Sequence, residues 1–232
     1  MACRIQGIQK LTLLDFPGRV AATVFFGGCN FRCPFCHNAD VVLHPTTDYD
    51  MSELDQLLMR RKGVLDGICI TGGEPLLADD ARPLMERAKE LGYLVKLDTN
   101  GSFPERLRTL VQDGLVDYVA MDIKNAPEAY PETIGIPGWD IAPVRESVAY
   151  LLQGGVDYEF RTTVALPLHT PERMRSLAQW IAGAKAYYLQ CFVDSGNLIG
   201  SGLTAPSPEQ LHLFAEIARE YVPHTQIRGT DA

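Results

Sequence analysis

The sequence lacks the run of about 18 apolar residues that a membrane-spanning helix needs. Where a cleaved leader would require an unbroken apolar stretch, it carries Asp15, Pro17 and Arg19. A cytoplasmic location with no membrane contact is the expectation. Positive charge is also short: 21 Lys and Arg face 29 Asp and Glu, for a net charge of -8, which argues against a broad phosphate-binding surface and so against a nucleic-acid partner. No G-x-G-x-x-G dinucleotide fingerprint follows any strand candidate. Repeats, low-complexity segments and linkers are absent too. What remains is a chain of 232 residues, 46% hydrophobic and 22% charged, enough for a sizeable core and close to the composition of a globular protein. One domain over residues 1–232 is expected.

The charge is uneven. Residues 1–44 hold Arg4, Lys10, Arg19 and Arg32 against Asp15 and Asp40, a surplus of +2 that leaves -10 on the rest. This fits either an anionic ligand near the N-terminal segment or scattered solvated side chains.

Runs rich in β-branched and aromatic residues predict strands over Val20–Phe26, Gly67–Thr71, Tyr93–Asp98, Asp117–Ile123, Tyr158–Val164 and Ala186–Val193. Ile227 is assigned to a short seventh strand. Helices are expected over Ser52–Lys62, Asp79–Leu91, Pro104–Gln112, Pro143–Gln153, Pro171–Ala182 and Pro208–Tyr221, with start signals at Ser52 and at Thr170-Pro171. Gly92, Gly114 and Gly154-Gly155 stand where helix C-caps are wanted. Six βα units with right-handed crossovers give an α/β fold, read as an incomplete (β/α)6 TIM-like barrel because a full eight-stranded one needs about 250 residues.

In parallel α/β folds the chemistry gathers at the C-terminal ends of the strands. The first such loop reads Gly27-Gly28-Cys29-Asn30-Phe31-Arg32-Cys33-Pro34-Phe35-Cys36-His37-Asn38. Three thiols at C-x3-C-x2-C spacing fit zinc or an iron–sulfur cubane. Structural zinc wants four protein ligands, usually as two separated pairs, but no second C-x-x-C exists, and Cys69 and Cys191 fall inside predicted strands. Three cysteines suit a cubane with one iron open to a bound molecule. His37 is read as a pocket residue, against a surface histidine. Cys3, Cys69, Cys191, Trp139 and Trp180 are read as packing residues.

The Cys29–Cys36 loop resembles the signature of radical S-adenosylmethionine (SAM) enzymes, and Cys36-His37-Asn38 resembles the continuation found in glycyl-radical-enzyme activases. Leu13-Leu14-Asp15-Phe16-Pro17-Gly18 through Phe25-Phe26-Gly27-Gly28-Cys29 is most similar to the activating proteins of anaerobic ribonucleoside-triphosphate reductase, a subgroup related to pyruvate formate-lyase activase. The later strand ends agree. Gly72-Gly73-Glu74 resembles the G-G-E motif that holds the SAM ammonium, where glycines admit close backbone approach and a carboxylate accepts. Asp98-Thr99-Asn100-Gly101 resembles the activases' D-T-N-G, and Asp122-Ile123-Lys124 their D-x-K, whose lysine meets the SAM carboxylate. The resemblance also implies a monovalent cation bound by Asp98, Thr99 and Asp122. It weakens at Cys191–Asn197, where Asp194 and Asn197 either bond the ribose or shape the loop. Asp15 and Arg161 match residues that position the substrate's glycyl loop, or form a structural ion pair.

The resemblance implies one [4Fe-4S] cluster, since 39–67 contains no further cysteines. It implies reductive cleavage of SAM to methionine and a 5'-deoxyadenosyl radical that takes hydrogen from the α-carbon of a glycine in a partner enzyme. The partner expected is anaerobic ribonucleoside-triphosphate reductase, with flavodoxin or ferredoxin as reductant. The rivals are an activase of the pyruvate formate-lyase type, a radical SAM enzyme acting on a small molecule, and a structural metal-binding module.

Overall fold

The computed structural model describes residues 5–229, so Cys3 and Arg4 lie outside the described residues. In chain order the elements are β1 (Ile5–Thr12), β2 (Ala21–Phe26), α1 (Ala39–Leu43), α2 (Met51–Arg60), β3 (Gly67–Gly72), α3 (Ala81–Glu90), β4 (Leu94–Thr99), α4 (Pro104–Gln112), β5 (Tyr118–Asp122), α5 (Tyr130–Thr133), α6 (Ala142–Leu152), β6 (Asp157–Val164), α7 (Pro171–Trp180), β7 (Tyr187–Cys191), α8 (Pro208–Arg219) and β8 (Thr225–Arg228). All six expected strands and all six expected helices form, and Ile227 lies in β8.

Two compact units interleave along the chain. The first comprises residues up to 30, 40–120 and 155–157. Here β1 runs antiparallel to β2, and β2, β3 and β4 pair in parallel, with Thr23 opposite Cys69 and Cys69 opposite Lys96. The strands are sealed by residues without exposure, among them Val24, Ile68, Ile70, Val95 and Leu97. Leu54 and Leu58 of α2, and Leu84, Met85 and Ala88 of α3, bury one stripe of each helix, the spacing an amphipathic helix needs to cover a sheet.

The second unit comprises 31–39, 121–154 and the chain from 158 onward. Its strands β6, β7 and β8 pair in parallel, with Thr162 opposite Leu189 and Leu189 opposite Ile227. Thr170 caps α7 through Arg173 N at 3.3 Å, with Pro171 in its first turn.

Two expectations need correcting. Helix α2 starts at Asp50, whose carboxylate accepts from Glu53 N at 2.8 Å while Glu53 returns the bond to Asp50 N at 3.2 Å; the Ser52 hydroxyl donates to Asp50. A reciprocal capping box outcompetes a lone serine. Strand β1 has no counterpart among the strands expected from the sequence. Its apolar residues Ile5, Ile8 and Leu11 recur every third position rather than every second, so it shows no strand period. Pairing with β2 overrides that pattern, and Gly7 lies where a Cβ would stand 3.5 Å from the Phe25 ring. Among the described residues no helix is long and apolar enough to cross a membrane.

Candidate functional site

In the first unit three loops meet beyond the strand ends. Gly73 N donates to Phe26 O at 2.8 Å and Glu74 N to Gly28 O at 2.9 Å. A Cβ on Gly73 would stand 2.0 Å from Gly28 O, and one on Gly72, at φ +118°, 2.3 Å from Phe26 O. No other residue type permits that approach. The close contact expected of these glycines is therefore made with the neighbouring loop's backbone. Glu74 is fully buried. Its carboxylate accepts from Leu76 N at 3.0 Å, the Thr99 hydroxyl at 2.9 Å and Asn100 N at 2.6 Å. It caps the short 3-10 turn of Pro75–Leu77 and ties that turn to the end of β4. Asn100 spreads its amide over the cysteine loop: Nδ2 lies 3.8 Å from Cys29 Sγ and 3.0 Å from Asn30 Oδ1, and Oδ1 accepts from Ser102 N and Oγ.

Below these loops lies a polar row. Thr23, Cys69 and Lys96 are paired across β2, β3 and β4. The Thr23 hydroxyl donates to Asp15 at 2.5 Å. Lys96, 2% exposed, forms an ion pair with Asp98 and lies 3.7 Å from Cys69 Sγ, while Asp98 also accepts from the Thr71 hydroxyl at 3.2 Å.

In the second unit Asp122 at the end of β5 receives Lys124 Nζ and Arg161 Nε, each at 3.0 Å. Burial works against its charge, but Arg161 and Lys124 hold the carboxyl well below the ordinary carboxylate range. Lys124 is likewise pushed above its ordinary value, since Asp122 and the neighbouring Cys33 outweigh its own desolvation. The lysine's backbone is clamped as well: its N–H donates to Tyr130 Oη at 3.3 Å and its carbonyl faces His169 Nε2 at 3.0 Å. Burial pushes the Tyr130 phenol up and lowers His169, so both are neutral at pH 7.

The rest of the cysteine loop is anchored in this unit. Arg32 N donates to Ile134 O at 2.9 Å, Gly200 N to Pro34 O at 2.9 Å, and Cys36 N to Cys33 O at 3.0 Å. Phe31 packs edge-on against Trp139, with centroids 5.0 Å apart, and Trp180 stands edge-on to Tyr130. Both tryptophans therefore pack as expected. His37 stands at the rim of a cavity of about 300 Å³ that Thr163, Gln190, Phe192 and Ser195 also line. Desolvation and then the Lys124 charge lower its pKa, with Asp122 opposing.

Asp15 accepts from the Thr23 hydroxyl, and Arg161 is ion-paired with Asp122. Asp194 is exposed and accepts from Gly196 N at 2.8 Å. Two site residues escape the sequence reading. His169 has no signal, being 45 residues from Lys124. Lys96 has one: a lysine two positions before Asp98 in a strand shares its face.

The model of the radical SAM superfamily matches residues 23–181. A protein of Methanocaldococcus jannaschii with the provisional name of a glycyl-radical enzyme activating enzyme is 30% identical, over 98% of this chain and 97% of its own. The 7-carboxy-7-deazaguanine synthase of Halobacterium salinarum is 29% identical over 75% of this chain and 66% of its own. Among solved structures, Streptococcus suis SuiB bound to the precursor peptide SuiA superposes with a TM-score of 0.70 at 14% identity, over 88% of this chain and 47% of that one.

Proposed function

The chain belongs to the radical SAM superfamily and has its α/β fold, and from that premise we propose that it is a glycyl-radical-enzyme activase. As a radical SAM enzyme it uses a [4Fe-4S] cluster and SAM. The observation that carries the activase reading is the end-to-end match to the M. jannaschii protein, where the deazaguanine synthase matches about two thirds of its own length.

The donor set suits the cluster: three thiols lie within eight residues. Cys29, Cys33 and Cys36 hold it in this reading. When bound, cluster and SAM together supply the electron and the hydrogen-abstracting radical. The protein binds and orients. Lys124 offers the SAM carboxylate an ammonium with three donors, one of which is directed at Asp122. Arg161 positions Asp122, and through it Lys124. Gly72 and Gly73 seat the cysteine loop, and the backbone beside them receives the SAM ammonium, since the Glu74 carboxylate is engaged within the fold. Asn100 orients Cys29. His37 lines the cavity it shares with Thr163 and Gln190, and Asp15 orients the substrate.

The substrate in this reading is a glycine of a large partner, with anaerobic ribonucleoside-triphosphate reductase first and an enzyme of the pyruvate formate-lyase type second. Flavodoxin or ferredoxin supplies the electron, in the cytoplasm, and 1–232 acts as one radical SAM domain.

The test is anaerobic reconstitution. About four irons per chain are expected, retained when Cys69 or Cys191 becomes serine and lost when Cys29, Cys33 or Cys36 does. Reduced protein with SAM should yield 5'-deoxyadenosine and, with the reductase, a doublet in the electron paramagnetic resonance spectrum. A doublet on pyruvate formate-lyase alone would move the subgroup. A doublet on neither, with 5'-deoxyadenosine formed, would favour a small-molecule substrate.

A further inference from the structure

A lysine inside a strand is expensive to bury without a counter-charge. Lys96 is 2% exposed and its ammonium sits on Asp98, two residues along the same face of β4. The other Asp98 oxygen takes the Thr71 hydroxyl. Thr99 is committed in both directions, its hydroxyl donating to Glu74 at 2.9 Å and accepting from Gly101 N at 3.1 Å. Asp122 has Lys124 on one oxygen and Arg161 on the other. These three residues are the ones the family resemblance assigns to a monovalent cation. A sodium or potassium ion needs oxygens whose negative field is not already met by donors, and each of these side-chain oxygens faces an ammonium, a guanidinium or a hydrogen bond.

We propose that Lys96 supplies from within the chain the positive charge that the resemblance assigns to a monovalent cation, and that the protein holds no such ion at Asp98 and Thr99. A tethered ammonium needs no ion from solution. SAM binding should therefore be indifferent to which monovalent salt is present, a consequence that rests on the function proposed above, while the charge balance at Asp98 does not.

The experiment compares potassium, sodium, lithium and choline chlorides at one ionic strength. Two quantities are read: SAM affinity of the reconstituted protein by equilibrium dialysis, and the melting temperature of the cluster-free protein. For the wild type both should stay constant, the affinity within about twofold. Lys96→Arg should behave alike. Lys96→Met removes the ammonium from Asp98, so potassium or sodium should raise its melting temperature above the value in choline and tighten SAM. A wild-type affinity that falls about tenfold in choline would overturn the proposal, as would a Lys96→Met protein that matches wild type in every salt. If Lys96→Met does not fold, the wild-type and Lys96→Arg series decide. If SAM binds in no salt, the function reading fails and the melting series still judges Lys96.

Discussion

The end of β3 in the first unit and the end of β5 in the second both carry motif residues, but they are built on different physics. Gly72, Gly73 and Glu74 are engaged inside the fold by neutral backbone and hydroxyl groups, with the carboxylate buried. Asp122, Lys124 and Arg161 form a partly exposed assembly of formal charges. A motif residue of the first kind is architecture, and changing it should move stability first. A residue of the second kind is chemistry, and changing it should move ligand affinity and pH behaviour first.

The sharpest way to break that contrast is Gly73→Ala. The added Cβ meets a backbone carbonyl, which cannot rotate away, so a loss of about 3 kcal/mol or more is expected by chemical denaturation, together with poor iron incorporation. A Gly73→Ala protein as stable as wild type would show that the two loops are not locked. Glu74→Ala comes next. It leaves Leu76 N, Asn100 N and the Thr99 hydroxyl without their acceptor, for about 2–3 kcal/mol; the contrast requires this loss in the absence of SAM, and a variant impaired only in SAM binding would refute it.

Asp122→Asn should cost less, about 1–2 kcal/mol, because the three side chains are partly solvated, while SAM affinity changes more than stability. The pH dependence is separate. Because the folded carboxyl titrates below its unfolded value, the stabilisation is complete above the ordinary carboxylate range and disappears as pH falls through the depressed value. Lys124, raised, adds stability that persists until pH climbs past the ordinary lysine value. Wild type should therefore lose more stability between pH 5 and pH 3 than Asp122→Asn, at about 1 kcal/mol of difference; parallel acid limbs would contradict the charge reading. Smallest is Asp194→Ala, expected within about 0.5 kcal/mol of wild type in urea titration, since its exposed carboxylate bonds only its own loop.

The alternation of strand and helix was legible because β2, β3, β5 and β7 are short apolar runs bounded by turn residues, and because Thr170-Pro171 and Gly92 are local signals that act within a few residues. The cysteine spacing was legible for the same reason. What was not legible is what the chain brings together from afar. Nothing near Glu74 says that its acceptors face Thr99 and Asn100, and nothing near His169 points to the Lys124 carbonyl. Arg161 illustrates the same limit: a charge in a strand demands a counter-charge, but nothing in the local sequence points to Asp122, 39 residues away.

The contact of Gly73 with Gly28 has a meaning for inheritance and for engineering. The cysteine loop cannot be copied into another scaffold as a contiguous cassette, because part of its seat is a pair of glycines two helices and a strand away. Any lineage or designer that keeps the three thiols must keep those two positions empty of side chains, so the transferable module is two distant segments under one steric constraint.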